Sequence, residues 1–146
     1  MKHPHPIHIV SALDGVSSND DPLQHAVALS TAASNHGFDW QSPAPVFQAV
    51  RDELVELDEA TQDGERSAIE HEVGDVLLAA CNLARHLAVD PSRALQQAAA
   101  RFEGRFRELE ARAFGDGHSI ADLSMDELEI RWQQAKRTLS ERGGGA

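Results

Sequence analysis

Apolar residues recur three and four positions apart through most of the chain, the period of an amphipathic helix. The pattern predicts five helices. The first starts at Pro22, behind Asp20 and Asp21, reaches Asn35 and stops near Gly37. A second starts near Ser42 and Pro43 and places Val46, Val50, Leu54 and Leu57 on one face as far as Ala60. The polar run Thr61-Gln62-Asp63-Gly64 reads as a short break. Ile69, Val73, Val76, Leu77, Ala80 and Leu87 then mark a third helix, so the second and third should fold back as an antiparallel hairpin. Asp90-Pro91 opens a fourth helix with Leu95, Phe102, Phe106 and Leu109 inside, ended by Gly115 and Gly117. Ser124-Met125-Asp126-Glu127 fits a capping box ahead of a fifth, which buries Leu128, Trp132, Ala135 and Leu139.

The predicted fold is therefore all-α, a bundle of about five helices around a central hairpin. A length of 146 residues suits one unit, expected over 22–140, between a flexible arm at 1–21 and a flexible tail at 141–146. His3, His5 and His8 alternate within a Pro-containing arm and read as incidental rather than as a metal tract. The absence of Tyr and the few other aromatics suit a core of Leu, Val and Ala.

Charge narrows the function. Lys and Arg total 13 against 24 for Asp and Glu, a net charge of −11 that repels a phosphate backbone unless cations intervene. Nucleic acid is not the expected partner. No apolar run approaches membrane-spanning length, and the N-terminus lacks the apolar core of a secretory signal. The lone Cys81 lies in an apolar stretch with no neighbouring base, so it reads as a small hydrophobe in a reducing, cytoplasmic setting.

The acidic residues hold the chemistry. Glu53 and Glu56 are three apart on the second helix, and Glu72 and Asp75 are three apart on the third, so each pair leaves one side of its helix. Any single pair fits a solvated face. Two pairs beside the apolar stripes of adjacent hairpin helices can instead meet, and four carboxylates together repel unless a cation or protons intervene. Mg²⁺ or Mn²⁺ answers that need, since both prefer oxygen ligands and leave positions for water and phosphate. A di-iron centre would call for Glu-x-x-His, and no histidine has Glu three positions before it. Asn82 follows Asp75 by seven residues on the same side. His71 points about 100° from Glu72 around the helix and is not expected to be a ligand.

The blocks Gly37-Phe38-Asp39-Trp40, Val50-Arg51-Asp52-Glu53-Leu54-Val55-Glu56-Leu57, Glu72-Val73-Gly74-Asp75-Val76-Leu77 and Asn82-Leu83-Ala84-Arg85-His86-Leu87 appear in order. Arg101-Phe102-Glu103-Gly104-Arg105-Phe106 and Trp132-Gln133-Gln134-Ala135-Lys136 follow. Together they resemble the MazG family of all-α nucleoside triphosphate pyrophosphohydrolases, most closely its C-terminal domain, over roughly residues 24–138.

The resemblance implies that Glu53, Glu56, Glu72 and Asp75 ligate Mg²⁺, that cleavage falls between the α and β phosphates, and that the protein is a homodimer. It also implies nucleotide-holding roles for Arg101, Arg105, Trp132 and Lys136, with Asn82 added as a substrate contact from its position. Glu53 or Glu56 could accept the proton of the attacking water. From its place on the apolar stripe alone, Trp132 reads as a core or dimer residue. Ala49, Ala68 and Ala99 stand where the family often carries Lys, a basic residue and Asn, and Arg101 replaces a Lys. These departures keep open a second reading, a MazG-like domain that binds a nucleotide or partner without turning it over.

Overall fold

A computed structural model describes residues 10–143, and among them every regular element is helical. α1 spans Pro22–Ser34. Its first turn is capped by Asp21, whose carboxylate accepts from the Leu23 and Gln24 amides, and Pro22 supplies a pre-set φ. Gly37, at φ 87°, turns the chain out of α1. The Gln24 amide donates to Asp90 at 2.7 Å and to the Ser92 hydroxyl at 3.1 Å, tying the start of α1 to the stretch beyond α3.

α2 spans Pro43–Asp63 and α3 spans Arg66–His86. The expected break at Thr61–Gly64 shrinks to Gly64 and Glu65. Thr61 donates to the Asp58 carbonyl at 2.7 Å and Gln62 to the Asp58 carboxylate at 3.2 Å, bonds that a continuing helix satisfies. Gly64 alone adopts the left-handed φ, 75°, that ends it. With so short a turn, α2 and α3 pack side by side as an antiparallel hairpin, and α1 lies against α3.

α4 spans Pro91–Gly115. After Gly117, at φ 80°, a single 3₁₀ turn at Ile120–Asp122 leads to α5, Met125–Gly143. The anticipated capping box forms: the Ser124 amide donates to Glu127 at 2.8 Å and the Glu127 amide to the Ser124 hydroxyl at 3.3 Å. α5 runs through 141–143, part of the stretch expected as tail. His3, His5 and His8 lie outside the described residues.

Two compact units divide the chain inside α4, Met1–Arg93 and Ala94–Ala146. The first is built from α1, α2 and α3. In the second, Phe102 stacks on Phe106 with ring centroids 6.0 Å apart and meets Trp132 at 5.4 Å, and Arg112 donates to the Thr138 hydroxyl at 2.7 Å.

Among the described residues the buried side chains are few: Val46, Ala60, Cys81, Leu109, Ala113 and Ala135. Several expected core residues are exposed instead, namely Leu54, Val73, Leu77 and Leu87 in the first unit and Leu95, Phe102 and Phe106 in the second. Periodicity reports which side of a helix is apolar; it does not report whether another helix of the same chain covers it. Leu109 and Ala135 are buried as expected.

Candidate metal and nucleotide site

Three-residue spacing brings Glu53 and Glu56 to the same side of α2, and the tight turn at Gly64 sets the register that brings α3 alongside. Oxygens of Glu53, Glu56 and Glu72 then lie within 4.8 Å of one another, a separation that one small cation can bridge. Oε2 of Glu72 is buried with no hydrogen-bond partner among the described residues. A buried, unpartnered carboxylate oxygen is costly unless something positive meets it. Loss of hydration pushes the Glu53 carboxyl above its ordinary value, and the charges of Glu56, Asp75, Glu72 and Asp52 push the same way. The donors are all carboxylate oxygens, a set suited to Mg²⁺ or Mn²⁺ rather than to softer metals.

Asp75 stands slightly apart. Its charge reaches Glu53, yet its Oδ2 faces His71 Nε2 at 3.2 Å, one turn away on α3. The angle between His71 and Glu72 around α3 does not reveal this contact, whereas the i,i+4 relation between His71 and Asp75 does.

Asn82 lies two turns beyond Asp75 and lines a cavity of about 410 Å³ together with Ala49, Glu53 and Asp75. A second cavity of about 320 Å³ shares Ser30, Ala33 and Asn82 with it and reaches Phe38 and Trp40. Between them, Asn82 Oδ1 accepts from Arg85 Nε at 3.1 Å and Nη2 at 2.8 Å.

Asp39 anchors this end of the unit, a role the sequence reading did not give it. Its carboxylate accepts both Arg85 terminal nitrogens at 2.9 and 2.7 Å, His86 Nε2 at 2.7 Å, the Ser34 hydroxyl at 2.6 Å and the Trp40 amide at 2.8 Å. The guanidinium, followed by the Ser34 hydroxyl, holds its carboxyl well below the usual carboxylate range. Both partners sit in blocks the sequence reading singled out, but 46 and 47 residues away, and nothing local to Asp39 announces them.

The remaining candidates lie on the second unit. Arg101 and Arg105 form no ion pair among the described residues: Glu108 is engaged by Arg112 at 3.1 Å and Arg142 at 3.9 Å, and Arg107 holds Glu103 at 2.7 Å. Trp132 packs against Phe102, and Lys136 lines a shallow hollow beside Gln133 and Ser140. Cys81 is buried, and burial raises its thiol pKa, as suits an inert core residue.

A hairpin of helices that collects carboxylates beside an open cavity defines a class of all-α proteins with an acidic candidate site on the hairpin. Within that class, the sequence profile of the MazG nucleotide pyrophosphohydrolase domain matches residues 41–109. The chain is similar to the nucleoside triphosphate pyrophosphohydrolase of Escherichia coli strain K12, 38% identical over 129 residues, or 87% of this chain and 49% of that protein. It is also similar to the nucleoside triphosphate pyrophosphohydrolase/pyrophosphatase MazG of Thermotoga maritima, 38% identical over 114 residues, 78% of this chain and 44% of that one. Residues 41–109 carry the match to the MazG domain, and the chain spans about half the length of these curated relatives.

Proposed function

We propose that this protein hydrolyses nucleoside triphosphates to a nucleoside monophosphate and pyrophosphate, with Mg²⁺, or Mn²⁺ in its place, held by Glu53, Glu56, Glu72 and Asp75. The observation that carries the reading is the meeting of Glu53, Glu56 and Glu72 within 4.8 Å around an unpartnered buried oxygen. A bound divalent cation would neutralise the phosphate oxygens and acidify the attacking water. The new bond joins the water oxygen to the α phosphorus, and the bond from that phosphorus to the bridging oxygen breaks to release pyrophosphate. Glu53 or Glu56 takes the water proton. Asn82 contacts the substrate from the cavity wall, and Arg101, Arg105, Trp132 and Lys136 keep the nucleotide-holding roles that the family resemblance implies.

The relatives' names support the activity, and removal of non-standard or surplus nucleotides is the physiological task we infer. A homodimer is part of the same reading. Leu54, Val55, Val73 and Leu77 are each more than two-fifths exposed on α2 and α3, an apolar surface that a second copy would cover. Among the described residues no helix is long and apolar enough to cross a membrane.

Incubation with a panel of ribo- and deoxyribonucleoside triphosphates and Mg²⁺ tests the proposal through pyrophosphate release. Glu56→Ala or Asp75→Ala should reduce turnover roughly 100-fold or more, beyond the loss usual for residues that only orient a ligand. Tight nucleotide binding without release would select the non-catalytic reading instead.

A further inference from the structure

Leu13 lies outside the helices, yet it lines the 410 Å³ cavity together with Glu53, Asp75 and Asn82. It belongs to a turn at 11–16, ahead of α1, that holds itself together. The Ser11 amide donates to Asp14 Oδ2 at 2.9 Å, the Leu13 amide to the Ser11 hydroxyl at 3.2 Å, the Asp14 amide to the Ser11 carbonyl at 3.1 Å and the Val16 amide to the Leu13 carbonyl at 2.9 Å. Among the described residues the turn makes no hydrogen bond to α1, α2 or α3, and Ser17 and Ser18 behind it make none at all. Its seat is open as well: a cavity of about 580 Å³ is lined by Ala12 and Val16 of the turn and by Ala28, Thr31 and Ala32 of α1. A self-bonded turn on a polar linker, tied to its unit by side-chain contact alone, opens at low cost and can move as a body. Asp14 is its one charged residue, and the Ser11 amide engages that carboxylate. What the turn brings to the carboxylate cavity is therefore the apolar Leu13 side chain.

We propose that the turn at 11–16 is a movable cover over the carboxylate cavity, and that Leu13 is the side chain it closes onto a bound nucleotide. The assignment rests on the hydrolase reading for its ligand. A cavity of this volume is in the range of small-molecule sites. Leu13 and Leu78 on its wall are still 43% and 49% exposed, and a ligand that fills the cavity would bury what remains of both, so closure is favoured when the site is occupied. The turn has no cation with which to grip phosphate, so its contact falls on the nucleoside rather than on the polyphosphate. Closure also excludes water from around Glu53 and Asp75, where every electrostatic interaction is then stronger.

The experiment compares the full chain as wild type, Leu13→Ala and Leu13→Met, each shown to be folded by thermal unfolding. Leu13→Ala should lower kcat/KM for nucleoside triphosphates roughly 10-fold, the scale of losing apolar contact in a pocket. Leu13→Met, which keeps the volume, should stay within about threefold of wild type. Hydrogen exchange then follows the backbone amides of residues 11–16 with Mg²⁺ and α,β-methylene nucleoside triphosphates, whose carbon bridge cannot be cut, with binding measured by equilibrium dialysis. Saturating analogue should slow exchange there roughly fivefold or more in the wild type and in Leu13→Met, but not in Leu13→Ala. Wild-type turnover with an unchanged kcat/KM in Leu13→Ala, or bound analogue that leaves exchange at 11–16 unaltered, overturns the cover and leaves the hydrolase standing. Slowed exchange with bound analogue but no pyrophosphate from any natural triphosphate overturns the hydrolase and upholds the cover. Neither binding nor turnover overturns both.

Discussion

Glu53 and Asp39 belong to the same small unit, yet their surroundings drive their carboxyl groups in opposite directions. Desolvation and like charge raise Glu53 above its ordinary 4.5, so the folded chain binds that proton more tightly than the unfolded chain does. The corresponding stability is present below about pH 4.5 and is lost as pH rises through the folded value. Glu53→Gln mimics the protonated form. In metal-free protein at neutral pH it should melt higher than wild type, with the difference shrinking toward pH 4.5. Mg²⁺ should reverse the order by stabilising only the chain with the full carboxylate set. Calorimetry with and without chelator checks both halves, and a lower-melting metal-free Glu53→Gln would show that the cluster is not repulsive. For Asp39 the sign is opposite: its ion pairs add stability above the ordinary 3.8 and lose it as pH falls toward the depressed folded value. Asp39→Asn should therefore be less stable than wild type at neutral pH, and the gap should narrow in acid.

The hairpin of α2 and α3 contains two glycines in unlike settings. Gly64 closes α2 at φ 75°, where no neighbouring atom would meet a Cβ, so the cost of a side chain is backbone strain alone. Gly64→Ala should destabilise by about 1–2 kcal/mol, the penalty for an L-residue in the left-handed region. It should also weaken Mg²⁺ binding, because the turn sets the register of Glu72 against Glu53 and Glu56. Gly74 sits within α3 beside Asp75 and its added Cβ also meets open space. Gly74→Ala should then stabilise by about 0.5–1 kcal/mol, the helix-interior preference for Ala. Denaturant titration reads both values, and a loss at Gly74 would mean that another chain occupies the space beside it.

At the scale of the whole molecule, the apolar faces are larger than the chain's own packing covers. Leu54 and Leu77 are 50% and 54% exposed on adjacent helices, and large uncovered patches of this kind mark association surfaces. Light scattering should report a dimer for the wild type. Leu54→Glu with Leu77→Glu should raise the dimer dissociation constant roughly 30-fold or more by placing charges in a surface that must desolvate. A dimer unaffected by both substitutions would move the interface elsewhere.

The sequence by itself determined the helices, their caps and the two pairs of carboxylates, because helical spacing, N-caps and glycine stops act within a few residues of one another. The hairpin followed from the same local signals, since a turn as short as that at Gly64 leaves its two helices no other partner so near. Tertiary structure decided what depends on register and coverage. It brought Glu72 up to Glu53 and Glu56, joined Asp39 to Arg85 and His86, and left Leu54, Leu77 and Phe102 in solvent. Those outcomes turn on which distant surface arrives at each residue, and periodicity along one helix contains no record of its neighbours.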